Sequence, residues 1–486
     1  MRRVASVPSV KLPIADGFLA VVKRDCPTCE MVAPVMHAIA DHHPLVVYSQ
    51  DDPAFPEGLG TVDDRDLDVS FALAIDTVPT LIRVVSGQET ARLEGWLREK
   101  WQDLTGVDNL GAALPEYRPG CGSRTNDPDI AEARAVAAKI EQLGSRRVEL
   151  GSGEDEIEAM FERGWTDGLP VVPPTAERVA LMLTGSTRAP DDVVVLAPPD
   201  LVECTVEKIA INAVMAGCKP EYLPVVIAAV EAACTDEFNA HGLLCTTWFS
   251  GPLVLVNGPI SRAIGMNSGV NALGQGNRAN ATIGRALQLV IRNVGGGRPG
   301  EIDRATLGQP GKYTFCFAER EHDSPWEPLH VERGFAPTQS TVTLFAAGGV
   351  QGVVDQLSRT PESLTNSLAA CLRTVGHPKN AFIWDAWLVV SPEHARVFRD
   401  ARWTKARLRG ELNTRLQLAG DDIAHGVDDI AEGMPPAFAG HTLPKFRDGG
   451  LQIVHAGGEA GLFSAIIGGW ASGAVGSEIV TKEITR

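Results

Sequence analysis

Cys26-Pro27-Thr28-Cys29 constrains this chain more than any other stretch, because two thiols so spaced act as one chemical unit. Apolar Leu19-Ala20-Val21-Val22 predicts a strand running into the pair, and Met31, Val32, Val35 and Met36 predict the apolar face of a helix that starts at it. A cysteine at a helix N-terminus feels the positive end of the dipole, which favours thiolate and so attack on a disulfide. Pro34 falls inside that helix and is expected to kink it. Downstream, Thr77-Val78-Pro79-Thr80 opens the strand-like run Leu81 to Val85, with Gly87 as a turn and a further strand from Thr90. A CxxC also suits half of a tetrahedral zinc site, but no second CxxC occurs, and no metal site is expected.

These positions resemble a thioredoxin, a family with CxxC at a helix start, a proline five residues beyond it and a cis-proline before a late strand. Cys26, Cys29, Pro34 and Pro79 match those places, and the likeness covers roughly residues 10 to 108. The resemblance implies a thioredoxin-like fold for 1–108, with Cys26 attacking, Cys29 resolving and Pro79 facing the dithiol where substrate binds. Asp25 stands where thioredoxins usually carry an aromatic residue, which weakens the parallel with a general reductase more than the fold.

At 486 residues the chain is long enough for two or three domains. A net charge of -17 argues against nucleic acid or an anionic membrane surface as partner. Nine cysteines without a dense framework point to a reducing cytoplasm, not to a secreted disulfide scaffold. The opening MRRVASVPSVKLPIADG lacks the apolar core of a signal peptide, and no apolar run of membrane-spanning length follows.

Residues 109–145 read as a linker. Leu114 to Pro128 is rich in turn formers and carries Cys121 between two glycines, in what reads as a mobile loop before a helix capped by Asp127. Cys121 is either an idle thiol or a third redox thiol exchanging with Cys26.

Residues 146–486 alternate strands and helices, which predicts a larger α/β domain. Four short strands, Val193 to Leu196, Leu253 to Val256, Trp387 to Val390 and Leu451 to Val454, each end in a polar or proline-rich loop. Ligands of α/β sheets bind at such ends, so Asn257, His394 and His455 are expected to line one pocket, the histidines as catalysts. The glycine- and asparagine-rich run Met266 to Asn280 precedes a helix, and Asn277, Arg278, Asn280 and Arg285 are expected to hold a phosphate or carboxylate there. It is neither a P-loop nor a dinucleotide fingerprint, and no cofactor is expected. The loop from Arg320 to His330 reads as a lid, an acid/base source or a contact with a second subunit, with His330 at the substrate. The remaining cysteines mostly sit in apolar segments and read as core residues, with Cys245, beside His241 and Thr246-Thr247, as the exception.

The segments GWTDGLPVVPPT, GNRANATIGRA, PGKYTFCFAE, SPWEPLHVERG, SPEHA and RWTK resemble a large uncharacterised bacterial family of thioredoxin-like or UGSC-type (seleno)proteins, where U is selenocysteine. That resemblance implies that Gly120-Cys121-Gly122-Ser123 carries Cys121 at the selenocysteine position, with Arg124 in place of a final cysteine. The leading expectation is a cytoplasmic thiol-dependent oxidoreductase acting on a small anionic substrate, served by an external thiol reductant. The rivals are a lyase or hydrolase of the large domain, with the small one as a regulatory or docking module, and a binding protein without turnover.

Overall fold

The computed structural model describes residues 13–473 and 476–485, so the segment read for a leader lies, up to Leu12, outside the described residues. The protein is mixed α/β and divides into two compact units, Met1–Ala135 and Val136–Arg486. The division falls within helix Pro128–Glu141. Among the described residues no helix is long and apolar enough to cross a membrane.

In the first unit, strand β1 (Gly17–Val22) runs into helix α1 (Pro27–Ala40) and then into β2 (Leu45–Ser49). Strands β3 (Val62–Asp63), β4 (Thr80–Val85) and β5 (Gln88–Glu94) complete one sheet in the order β3-β2-β1-β4-β5. β1 pairs parallel with β2 and antiparallel with β4, Val21 lying opposite Thr80. Pro27 begins α1, where its missing N–H costs nothing, and Cys26 caps it. Thr28, Cys29, Val32, Val35, Met36 and Ile39 recur at helical spacing and are buried against the sheet. The helix continues through Pro34.

Residues 109–135, expected to form a linker, belong to the first unit. Tyr117–Arg118 pairs with Trp96–Leu97, and Cys121–Gly122 pairs with Thr77–Val78. Gly120 makes the second pairing possible, because a Cβ there would lie 2.3 Å from Thr77 Cγ2 and 2.9 Å from the Val78 carbonyl. Thr28 Oγ1 donates to the Pro119 carbonyl (2.7 Å) and Gln50 Nε2 to Ser123 Oγ (2.7 Å). A stretch rich in turn formers is thus fixed by its long-range bonds.

The second unit is built on one mixed sheet. Helices α2 (Val206–Ala216) and α3 (Leu223–Ala233) precede β6 (Gly251–Asn257), followed by α4 (Arg278–Asn293), β7 (Cys316–Ala318) and the long β8 (Thr341–Val354). Helix α5 (Pro361–Leu372), β9 (Trp384–Val390), α6 (Pro392–Asp400), α7 (Lys405–Arg415), β10 (Leu451–His455), β11 (Phe463–Ala471) and β12 (Val480–Glu483) complete it. The strand order is β7-β6-β8-β11-β9-β10, with β12 also on β8.

Alternation along the strands sends side chains to two faces. Val254 and Val256 of β6 pack with α2, α3 and α4, while Leu388 and Val390 of β9 pack with α5, α6 and α7. Leu255, Phe317, Trp387, Val454 and Ile467 share a third cluster that joins strands from both ends of the sheet order. The Arg320 N–H donates to the His455 carbonyl (2.7 Å), so the chain leaving β7 meets the end of β10 and the sheet curls instead of lying flat. Val193–Ala197, read from sequence as a strand ending in a proline-rich loop, is a strand, but it forms a separate hairpin with Val202–Thr205 and not part of this sheet.

Candidate functional site

Three thiols meet in the first unit. Cys26, at the start of α1, accepts the Cys29 N–H at 3.4 Å, and its own thiol reaches the Val78 carbonyl at 3.6 Å. Val78 is the residue paired with Cys121, which brings the third sulfur against Cys26. The bond from Val78 to Pro79 is cis, so the expected proline lies directly beside this contact.

The electrostatics divide the labour. Hydrogen bonds from the Cys29 and Cys121 thiols, and from the backbone N–H groups of Cys29 and Thr28, outweigh burial and lower Cys26 to about 5. Burial, then the neighbouring Cys26 sulfur, raises Cys29 far above an ordinary thiol. Cys121 is raised by burial first and by its bond to Cys26 second. Cys26 and Cys29 are 1% and 0% exposed, whereas Cys121 is only partly buried. By contrast, burial pushes Cys204, Cys218 and Cys234 up to about 12, with the nearby Cys204 adding to it at Cys234, as befits inert core thiols.

In the second unit the strand-end residues separate. Asn257, 0% exposed, donates from Nδ2 to Glu319 Oε2 (2.7 Å) and Glu321 Oε1 (2.9 Å). Burial raises the Glu319 carboxyl, which also accepts the Leu329 N–H at 2.7 Å. His330 is wholly buried, its Nδ1 3.9 Å from Glu321 Oε1; neither ring nitrogen makes a hydrogen bond of normal geometry among the described residues, although the Ala336 and Pro337 backbone lies close enough to favour its protonated form. His455 Nδ1 bonds the Val390 carbonyl (2.8 Å), leaving Nε2 3.9 Å from Asp323. Arg320 holds that aspartate at 2.8 Å and also reaches Glu459 at 2.8 Å. The segment 319–323 therefore gathers Asn257, His330 and His455, which were expected from sequence, around carboxylates that were not.

His394 does not join them through any hydrogen bond or ion pair among the described residues. Its Nδ1 takes the Ser464 hydroxyl (2.8 Å) and its Nε2 the Asp355 carbonyl (3.0 Å), so both nitrogens are occupied and burial lowers its pKa. That is the setting of a buried structural histidine rather than of the catalyst expected from sequence.

The expected anion site at the head of α4 is also committed internally. Asn277 Oδ1 caps the Asn280 N–H (3.0 Å), Asn280 bonds Asn267, and Arg278 Nε donates to the Gly217 carbonyl (2.9 Å). Arg285 makes a two-pronged pair with Asp167 (both 2.8 Å) and donates to the Pro170 carbonyl. A guanidinium so engaged has little charge left for a ligand. Among the described residues no group of three or more His, Cys, Asp or Glu could hold a metal ion.

Compared with models of protein families, with curated proteins and with solved structures, the chain finds no match in any of the three.

Proposed function

We propose that this protein is a thiol-dependent oxidoreductase whose first unit, a thioredoxin-like domain, carries out disulfide exchange, while the second unit holds a small anionic substrate. The observation that carries the reading is the convergence of Cys26, Cys29 and Cys121 with Cys26 lowered to about 5 and its two partners raised. A nucleophile that is ionised at neutral pH beside thiols that keep their protons is what stepwise exchange requires. A parallel β1-α1-β2 unit, an antiparallel β4-β5 pair and Pro79 beside the dithiol support the likeness to thioredoxins.

Exposure orders the steps. Cys121, the least buried of the three thiols, hands its proton to the Cys26 thiolate it touches and attacks a substrate disulfide; a Cys121–substrate mixed disulfide forms, the other half leaves taking that proton as its thiol, and Cys26 is again a thiolate. Cys26 thiolate attacks the Cys121 sulfur; a Cys26–Cys121 disulfide forms and the substrate leaves as a thiolate. Cys29 then attacks Cys26, its proton passing to the departing Cys121, and the Cys26–Cys29 disulfide remains. An external dithiol reduces it and is itself oxidised, so one substrate disulfide becomes two thiols per cycle.

Replacing Cys29 removes the last step. Cys29→Ser treated with one equivalent of a small disulfide is expected to accumulate the Cys26–Cys121 linkage, read by mass spectrometry of unreduced peptides. Free Cys26 with no such linkage would count against the reading.

A second reading, a lyase or hydrolase, is favoured by one feature: His330 buried beside Glu321 with neither ring nitrogen in a hydrogen bond of normal geometry among the described residues. Turnover that survives Cys26→Ser with Cys29→Ser would select it.

A further inference from the structure

The helix that disappoints as an anion site at its head becomes more promising two turns on. Arg285, Gln288 and Arg292 follow one another at three- and four-residue spacing, so they form a single polar stripe along α4. Arg285 is taken by Asp167; the other two line a cavity of about 560 Å³. We infer that this cavity, walled by Ser250, Gln288, Arg292 and Lys312, is a binding site for a small organic anion.

The first support is a set of uncommitted hydrogen-bonding groups. Ser250 is 1% exposed and its hydroxyl has no partner among the described residues. The same holds for Gln288 Nε2 and Arg292 Nε, both shielded from solvent. Buried polar groups are nearly always hydrogen-bonded, and three of the side chains that line this cavity each carry one that is not; a rotation of those side chains toward the cavity brings these groups to a ligand. Two of the three are N–H donors and the third is a hydroxyl, which suits an acceptor-rich ligand.

Charge gives the sign. Two carboxylates line the cavity, and both are spent: Asp167 on Arg285 and Asp303 on Lys312, each at 2.8 Å. Arg292 has no carboxylate partner among the described residues and reaches only the Gly164 carbonyl, at 3.5 Å. The net of these groups is one uncompensated guanidinium, which selects a carboxylate or a similar anion. Phe238, Leu243, Ile291 and Tyr313 supply an apolar wall, and the volume falls within the range of ordinary small-molecule pockets. A bare inorganic ion would leave that wall unused.

This inference rests on the proposal that the second unit holds a small anion, and not on the thiol chemistry. It is therefore tested by binding alone, in the full chain carrying Cys26→Ser, so that failure of disulfide exchange and failure of this site are distinguishable. The probes are benzoate, its neutral counterpart benzamide, and inorganic phosphate, titrated by calorimetry at low salt. Benzoate is expected to bind once per chain and roughly tenfold or more tighter than either of the others, from one charge-assisted contact. Arg292→Met should lower benzoate affinity roughly 10- to 100-fold on the same basis, with Arg399→Met, a surface cation in the same unit, leaving it unchanged. Gln288→Glu serves if Arg292→Met fails to fold, since a carboxylate in the cavity should abolish benzoate binding. Equal binding of benzoate and benzamide, phosphate binding as tight as benzoate, no benzoate binding, or unchanged affinity in folded Arg292→Met or Gln288→Glu would each overturn the assignment.

Discussion

The thiol cluster of the first unit and the Arg292 cavity of the second are opposite solutions to placing polar groups out of water. In the first, the groups pair with one another: Cys26 takes the Cys29 N–H and the Cys29 and Cys121 thiols. In the second, Ser250, Gln288 and Arg292 keep hydrogen-bonding capacity unspent among the described residues. Groups that react with each other gain from being paired in advance; groups that must recognise a visitor gain from being left open. Mutual pairing shifts acidity, whereas openness leaves charge to be used.

The sharpest way to break this contrast is to remove the one ionised sulfur. Cys26→Ser is expected to lower disulfide-exchange rates by roughly three orders of magnitude or more, since it deletes the nucleophile itself, while benzoate binding by the second unit stays intact. Equal loss of both functions would mean that the two regions are not separate devices.

A smaller effect tests whether the pairing is geometric. Gly120→Ala puts a methyl 2.3 Å from Thr77 Cγ2, so the Cys121 strand must shift, at a cost of about 1–3 kcal/mol in stability by denaturant titration. Gly122→Ala, where the nearest atom lies at 4.0 Å, should be close to neutral. Matching losses at both positions would show that the strand is not held as described.

The acidity of Cys26 also appears as stability. Its folded pKa, about 5, lies below the unfolded value of about 8.5, so between them the unfolded chain binds more protons. The reduced protein therefore gains stability as pH rises through that window, by up to about 1.4 kcal/mol per pH unit, and loses the benefit as pH falls through 5. Cys29, kept protonated by burial, works against the folded state above the window. The gain should be absent in Cys26→Ser, as judged by urea midpoints across pH 4 to 9.

The smallest expected shift in acidity, read from thiolate absorbance against pH, comes from Cys121→Ser. A hydroxyl is a stand-in for the thiol donor, so Cys26 should move by no more than about one pH unit, while the exchange step that needs the Cys121 sulfur is lost.

How much of this was legible in the sequence depended on range. The strand into Cys26, the helix from it and Pro79 beside it follow local patterns, and the structure has them where expected. The Val78–Cys121 pairing does not, because two-residue strands carry no periodicity and Gly120 looks like a turn former until its neighbours are known. Arg285 was misjudged for the same reason: Asp167, which neutralises it, lies 118 residues away. Gln288 and Arg292 stand on the same helix face, but Ser250 and Lys312, which complete the cavity, lie on other segments that no local pattern links to it. Asn257 and His455 both end strands, yet what unites them is the curl of a mixed sheet and the carboxylates of 319–323.

The account turns on Cys26 carrying negative charge at neutral pH while its two neighbours do not. Thiolate absorbance at 240 nm, followed across pH 3 to 8 in the reduced protein and in Cys26→Ser, measures this directly. The expected result is a step of one thiolate centred near pH 5 that disappears in the variant. A curve with no step below pH 8, or one that survives the loss of Cys26, would contradict it.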